Sequence, residues 1–341
     1  MPAPESARDL PILLLHDVDP TLSPSDLNEV LADVNALESA LREQGHSVAN
    51  APVRDADLAA YLRGFAPDEC LVFNGCESLP GMPHSEALVA QTLEREGYTY
   101  TGSPPDVLAL SWDKPRVKTL LGAAGVPTPM WRVYNSDRPE GWHCFPAIVK
   151  PAREHCSLGI TPAAVVLNAE ELRDRIAYVL DTFHQPALVE DFIDGRELHV
   201  SLWGNGHVEM LPPAEMDFSK FTDIHDRLCS YDSKFTPGTR PYEDIGLKMP
   251  APLSAQEYER LRRTCLPAYR ALGCRDYARL DIRLRNGVFY VLDVNPNPDI
   301  SAETSTVYAA KEGGYTYGAM LGRIANLAVR RHPLFGAARR H

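Results

Sequence analysis

No apolar run in this chain reaches the 18 residues that a membrane-spanning helix needs. Positive charge is also short: 34 Lys and Arg face 46 Asp and Glu, a formal charge of −12 with a pI near 5.4. That balance argues against the broad basic surface of a nucleic-acid binder, although a local cluster of Lys and Arg can still hold an anion. There is no GxxxxGK[ST] loop, which excludes a P-loop, and no GxGxxG after a strand, which counts against a dinucleotide fold. The seven cysteines are odd in number, irregularly spaced and free of any CxxC pair, a poor match to a disulfide framework or a zinc site. Met1 to Asp9 carries Glu5, Arg8 and Asp9 and leads into a five-residue apolar run, too short for a signal peptide. A reduced, cytoplasmic setting without membrane or nucleic-acid partners is the expectation. No internal repeat or low-complexity tract is present.

What remains is an ordinary globular composition, 44% apolar and 23% charged, over 341 residues. That length suits two or three subdomains. Pro11–Leu15, Val48–Val53 and Glu69–Asn74 read as strands, alternating with helices over Ser23–Gln44 and Ser85–Glu96. Residues 1–105 are therefore expected to form a small parallel α/β domain, followed by subdomains over 106–190 and 191–341. Further on, a helix is predicted from about Asp113 to Gly125, strands over Trp131–Tyr134 and Ala147–Lys150, and a helix over Glu170–Phe183. Ala187–Phe192 is a strand. Leu198–Trp203 and His207–Leu211 form a hairpin around Gly204-Asn205-Gly206, and Leu280–Arg285 and Val288–Val294 a second one around Asn286-Gly287. Helices over Ser254–Leu272 and Tyr315–Arg330 complete the pattern. Leu211–Pro250 lacks periodicity, and a long irregular stretch in a compact domain is usually either functional or disordered. Lys220, Lys234 and Lys248 lie in it, which suits a loop over an anionic ligand as well as a solvated surface loop.

Three segments bear chemistry. On the second hairpin, Asp281 sits on one strand and Asp293 and Asn295 on the next, two residues apart and thus on one face. Three converging oxygens suit a hard cation such as magnesium. Arg279 and Arg283 share that face, so a plain surface Asp–Arg pair fits equally well. Pro296 and Pro298 fix the exit of the strand. In the second segment, Lys150 ends the apolar strand Ala147–Lys150, where it can reach a phosphate as a point charge or simply snorkel to water. The loop after it, His155 to Ile160, is small and polar and can turn backbone N–H groups toward phosphate. In the third, the strand Leu188-Val189-Glu190-Asp191-Phe192-Ile193 can offer its backbone to adenine, and Glu197 beyond the turn its carboxylate to ribose. Solvated carboxylates at a strand end are the alternative.

In this order and spacing the segments resemble the ATP-grasp fold, and specifically the D-alanine–D-alanine ligases, from about Gly97 to the end. The resemblance also rests on Tyr100-Thr101-Gly102-Ser103, Ser111-Trp112-Asp113-Lys114 with Lys118, Gly195-Arg196-Glu197, Asp232-Ser233-Lys234-Phe235 and Ala278-Arg279-Leu280-Asp281. It implies a small parallel α/β domain and two α+β subdomains clasping ATP. It implies ATP and Mg2+ (or Mn2+) as cofactors, small amino-acid or amine substrates, and a homodimer. Lys114 and Lys150 correspond to the lysines on the ATP phosphates. Glu190, Asp191, Phe192 and Ile193 correspond to the segment that meets adenine, and Glu197 to the ribose contact. Asp281, Asp293 and Asn295 correspond to the magnesium ligands. Arg279, Lys234 of the mobile loop and Ser157 of the phosphate loop are the expected catalytic residues. The implied reaction phosphorylates a carboxylate and then lets an amine displace phosphate, forming an amide.

The substrate half departs from the family. His16-Asp17-Val18-Asp19 stands where a glycine-rich turn is usual, and Phe73-Asn74-Gly75-Cys76-Glu77 replaces a His-Gly pattern. Asp299 takes the place of a glycine near the reacting centre, where its carboxylate would attract an ammonium. Cys156 replaces a serine of the phosphate loop, and Asp293 a glutamate. His16, Asp17, Asp299, Ser301, Thr304 and Ser305 are the expected substrate contacts. The expectation is an amino-acid or peptide ligase outside cell-wall synthesis. A true D-alanine–D-alanine ligase and a catalytically silent nucleotide binder are the alternatives.

Overall fold

The computed structural model describes residues 10–18, 23–155 and 157–336, apart from the side chains of Lys234 and Phe235. Three sheets form its frame. Strands β1 (Pro11–Asp17), β2 (Ser47–Val53) and β3 (Leu71–Gly75) make a parallel sheet in the order β2-β1-β3. Strands β4 (Trp131–Tyr134), β5 (Ala147–Pro151), β6 (Val165–Val166) and β7 (Ala187–Asp191) make an antiparallel sheet, β4-β7-β5-β6. The third sheet runs β11-β10-β8-β12-β13, with β9 paired to β8. Its strands are β8 (Arg196–Trp203), β9 (Glu209–Met210), β10 (Ala214–Asp217), β11 (Gly246–Lys248), β12 (Tyr277–Arg285) and β13 (Val288–Asn295).

Local chemistry accounts for the main boundaries. Ser23 caps the helix Pro24–Glu43 by accepting from the Asp26 N–H, and Gly45, at φ 89°, ends it. The helix Ala255–Ala271 opens with a reciprocal capping box between Ser254 and Glu257. Asn286 and Gly287 take φ 52° and 77°, which closes β12 and β13 into a tight hairpin. Alternation on β1 buries both faces: Leu13 and Leu15 pack with Val53, Val72 and Val89, while Ile12 and Leu14 join a second core. That second core includes Met320, Leu321 and Ile324 of the closing helix Tyr317–Val329. The last helix of the chain thus covers the first sheet.

The stretch 211–250 is only partly irregular, although its weak periodicity gave no sign of strands. β10 and β11 lie in it and extend the third sheet antiparallel to β8. The short helices Asp232–Phe235 and Arg240–Asp244 lie between them. Strands this short have too few residues to show an alternating pattern.

One buried carboxylate joins the pieces. Asp276, fully buried just before β12, accepts from the Gly102 N–H (2.9 Å), the Asn205 amide (2.7 Å) and both terminal nitrogens of Arg331 (2.6 and 2.7 Å). Arg331 also donates to the Tyr100 carbonyl (2.8 Å). The Tyr100–Gly102 segment, the β8–β9 turn and the residue that follows the closing helix therefore converge on a single side chain. Removing it would leave the Gly102 N–H, the Asn205 amide and the partly exposed Arg331 guanidinium without their acceptor. Asp276→Ala is expected to destabilise the protein by about 1–3 kcal/mol in denaturant unfolding; no measurable loss would show that this junction is not structural.

Candidate active site

β12 and β13 pair so that Asp281 faces Asp293 and Arg279 faces Asn295. Two carboxylates opposed across a hairpin repel unless cations intervene. Arg279 forks onto Asp281 through Nε (2.7 Å) and Nη2 (3.1 Å), and the Asn295 amide donates to the same carboxylate at 3.3 Å. Lys114 reaches Asp293 at 2.6 Å. Lys114 is placed by its position as first residue of the helix Lys114–Ala123, which Asp113 caps through the Arg116 N–H. Burial alone would raise the Asp293 carboxyl, but Lys114 holds it below its usual range. Asp281, Asp293 and Asn295 therefore present hard oxygen donors in one place, a set that fits magnesium.

A second charge cluster lies beside the first. The Glu190 carboxylate is buried between Lys118 (2.9 Å) and Lys150 (3.0 Å). Register places Ile148 opposite Glu190, so Lys150, two residues along β5, reaches it diagonally. Burial acts to raise Glu190, yet the two ammonium groups keep it below the ordinary carboxylate range. Its side chain is thus an internal counter-ion. Asp191 is similarly taken up by Arg285 (3.0 Å), and the Phe192 ring lies under the Arg283 guanidinium, 4.7 Å away. The Ile193 carbonyl accepts from Arg283 at 3.0 Å. Glu197 receives Arg283 at 2.8 Å, and against the effect of burial this holds its carboxyl far below the usual range. Glu197, His199 and Cys229 bring ligand atoms within 4.8 Å of one another, but the Glu197 carboxylate is already in its ion pair.

Apart from Lys118 and Arg285, these groups line one cleft of about 890 Å³. Ser157 lines it too, at φ 59°, with its hydroxyl donating to the Cys229 carbonyl at 3.0 Å. Gly159 follows at φ 76°, where a Cβ would press on Phe183 and Pro151. Among the expected substrate contacts, Asp17, Asp299, Ser301, Thr304 and Ser305 line the cleft. His16 does not. It shares the Ile12 and Leu14 face of β1, and its ring pairs with the Asn50 side chain at 2.9 Å. Asp17 points the other way and accepts from the Glu77 N–H and the Ser78 hydroxyl. Lys220 and Lys248 are not over the cleft either; they pair with Asp244 (2.9 Å) and Asp217 (3.0 Å) in exposed positions. Lys234 belongs to the helix Asp232–Phe235, but its side chain, like Cys156 and Asp19, lies outside the described residues.

Sequence reasoning gave no role to Lys118, Glu77, Glu86 or His155. Lys118 was visible only as part of a pattern, because its partner Glu190 is remote in sequence. Glu77 and Glu86 reach the cleft from opposite ends of a loop, and no spacing rule joins them to Asp299. His155 packs on Trp112, ring centroids 4.2 Å apart, and burial together with the nearby Lys114 pushes its pKa down to about 4.

Comparisons with known proteins give the fold and the family. The fold is that of ATP-grasp ligases: the crystal structure of the D-alanine–D-alanine ligase from Bacillus anthracis complexed with ATP superposes with a TM-score of 0.70, at 20% identity, over 95% of this chain and 98% of that one. The sequence profile of the D-ala D-ala ligase C-terminus matches residues 129–326. A D-alanine–D-alanine ligase of Marinomonas is 32% identical over 256 residues, 74% of this chain and 76% of its own. An uncharacterized protein of Sinorhizobium fredii, y4sG, is 33% identical over 307 residues, 87% and 88% of the two chains. The chain belongs to the D-alanine–D-alanine ligase family. It is an ATP-grasp ligase of the ADP-forming class that makes carbon–nitrogen bonds.

Two carboxyls in the cleft have a consequence for stability. Burial raises the half-buried Glu86 from 4.5 to about 7 against the opposing Asn297 amide; Glu77 keeps an exposed surface but is crowded on its inner side, and loss of water there together with the Asp17, Glu86 and Asp299 charges raises it too. The folded protein then binds more protons than the unfolded chain between pH 4.5 and about 7. This contribution to stability is complete below 4.5 and lost as pH rises through 7. His155 acts in the opposite sense, so the comparison that isolates the effect is wild type against Glu77→Gln/Glu86→Gln. From about pH 5 to 8, wild type is expected to lose stability relative to the double variant in denaturant midpoints. Parallel profiles would show that the two carboxyls titrate normally.

Proposed function

We propose that the chain is an ATP- and magnesium-dependent carboxylate–amine ligase working through an acyl phosphate, with substrates other than a pair of D-alanines. The observation that carries the reading is the convergence of Lys114, Lys150, Arg279, Asp281, Asp293 and Asn295 on one wall of the cleft. Lys114 and Lys150 bind and orient the ATP phosphates, Asp191 to Ile193 face adenine, and Glu197 faces ribose. Asp281, Asp293 and Asn295 would hold magnesium, which when bound neutralises charge on the phosphate oxygens.

A carboxylate oxygen of the donor attacks the γ-phosphorus, the bond to the β–γ bridging oxygen breaks, and ADP leaves. The amine nitrogen of the acceptor then attacks the acyl carbon. The carbon–oxygen bond breaks, phosphate departs with the electron pair, and the amine loses a proton to water. Arg279 lies where negative charge grows on the acyl oxygen, and a guanidinium placed in advance stabilises it with little reorganisation. The segment over 211–250, with Lys234, is assigned to excluding water from the intermediate. Asp299 is what sets the substrates apart, because its carboxylate lines the cleft beyond Arg279.

A second reading, D-alanine–D-alanine ligation, is favoured by relatives of that name at 30–32% identity. Incubation with ATP, magnesium and D-alanine separates the two: phosphate release that depends strongly on D-alanine and yields the dipeptide would overturn the first. Arg279→Ala is expected to lower product formation by about 10²- to 10³-fold while ATP affinity stays within about twofold. An unchanged rate would remove Arg279 from the chemistry.

A further inference from the structure

The cleft is divided by charge. Among the described residues that line it, eleven are Asp or Glu and four are Lys or Arg. In the nucleotide half, the carboxylates of Glu190, Asp191, Glu197, Asp281 and Asp293 each have a Lys or Arg within 3.0 Å. Across the cleft, Asp17, Glu77, Glu86, Asp299 and Glu303 have no ion-pair partner among the described residues. Neutral donors serve four of them: the Glu77 N–H and Ser78 hydroxyl for Asp17, the Asn297 amide for Glu86, the Ser301 N–H for Asp299, and the Tyr308 hydroxyl for Glu303.

The fold puts this wall where a ligand is expected on independent grounds. Asp17 ends β1, and Glu77 follows β3. In the order β2-β1-β3 the chain leaves the carboxyl ends of β1 and β3 in opposite directions, and the crevice so formed is where open parallel sheets take their ligands. Asp299 and Glu303 approach from the segment after β13, directly beyond Asn295. A molecule reacting beside Arg279 therefore extends its far end between two groups of uncompensated carboxylates. The Asp17, Glu86 and Asp299 charges all act to raise Glu77, which reflects how close these groups lie to it.

A single ammonium, as in alanine, answers only one of these charges, and a second carboxylate on the substrate would be repelled. We propose that the wall binds a ligation substrate with two or more positive charges, a basic amino acid or a polyamine. The proposal rests on the reading of the cleft as a ligase active site and names the substrate class of its open half.

Calorimetric titration of the full-length protein, saturated with a non-hydrolysable ATP analogue and magnesium, tests it with ornithine, spermidine and alanine as probes. Ornithine or spermidine is expected to bind at least about tenfold more tightly than alanine, and which of the two does so separates a basic amino acid from a polyamine. Glu77→Gln/Asp299→Asn is expected to weaken that binding by about tenfold or more, with analogue affinity unchanged. Should the double variant fail to fold, Glu303→Lys at the exposed lip is expected to weaken it about threefold. Equal affinity for alanine, or cation binding unmoved by both variants, overturns the proposal while the ligase reading stands. Failure of wild type to bind the ATP analogue overturns both.

Discussion

Asp281 and Asp293 face each other across one hairpin, and the rest of the site follows from offsetting their charges. Two carboxylates opposed in this way repel. Arg279 pairs with Asp281 and Lys114 with Asp293, and each cation is held by its own element, a strand neighbour and a helix N-terminus. The third sheet is built to present this pair. β12 lies between β8 and β13, and a register shift between Asp281 and Ile282 leaves Leu292 as the extra residue of β13, which brings Asp293 opposite Asp281.

The same logic recurs at Glu190 and Asp276. Each is a buried carboxylate with two or more cationic or amide donors from distant parts of the chain. Such arrangements add little net stability compared with apolar packing, but they penalise any misplacement of the partners. At Glu190 the consequence is that Lys150 is held in position at the cleft, with Lys118 buried as the second partner. At Asp276 it is the alignment of the first domain with the large sheet. The open half of the cleft is the exception: among the described residues its carboxylates meet neutral donors and no cation, so its charge faces whatever enters.

Much of the frame was legible from residue pattern. The long helices announced themselves by apolar spacing with Ser23, Ser254 and Gly45 at their ends, and both hairpins by Gly-Asn-Gly and Asn-Gly turns. The segment between 211 and 250 was not legible, because strands of three or four residues have no periodicity of their own and exist only by pairing with β8 and with each other. His16 was misplaced for a related reason. Adjacent residues on a strand point to opposite faces, and sequence alone does not say which face of β1 closes the cleft.

The sequence by itself determined that Asp293 and Asn295 share one face of a strand and that Lys150 ends another, because both follow from local pattern and a period of two. That Asp281 stands opposite Asp293 depends on a register shift in the hairpin, and Lys150 comes to the same cleft from another sheet. Only the tertiary structure decided the substrate half. Asp17, Glu77, Glu86 and Asp299 come from four separate segments, and nothing in their spacing brings them together. Packing of the closing helix on the first sheet and the Asp276 junction set the two parts of the chain against each other, and the acidic wall exists only where they meet.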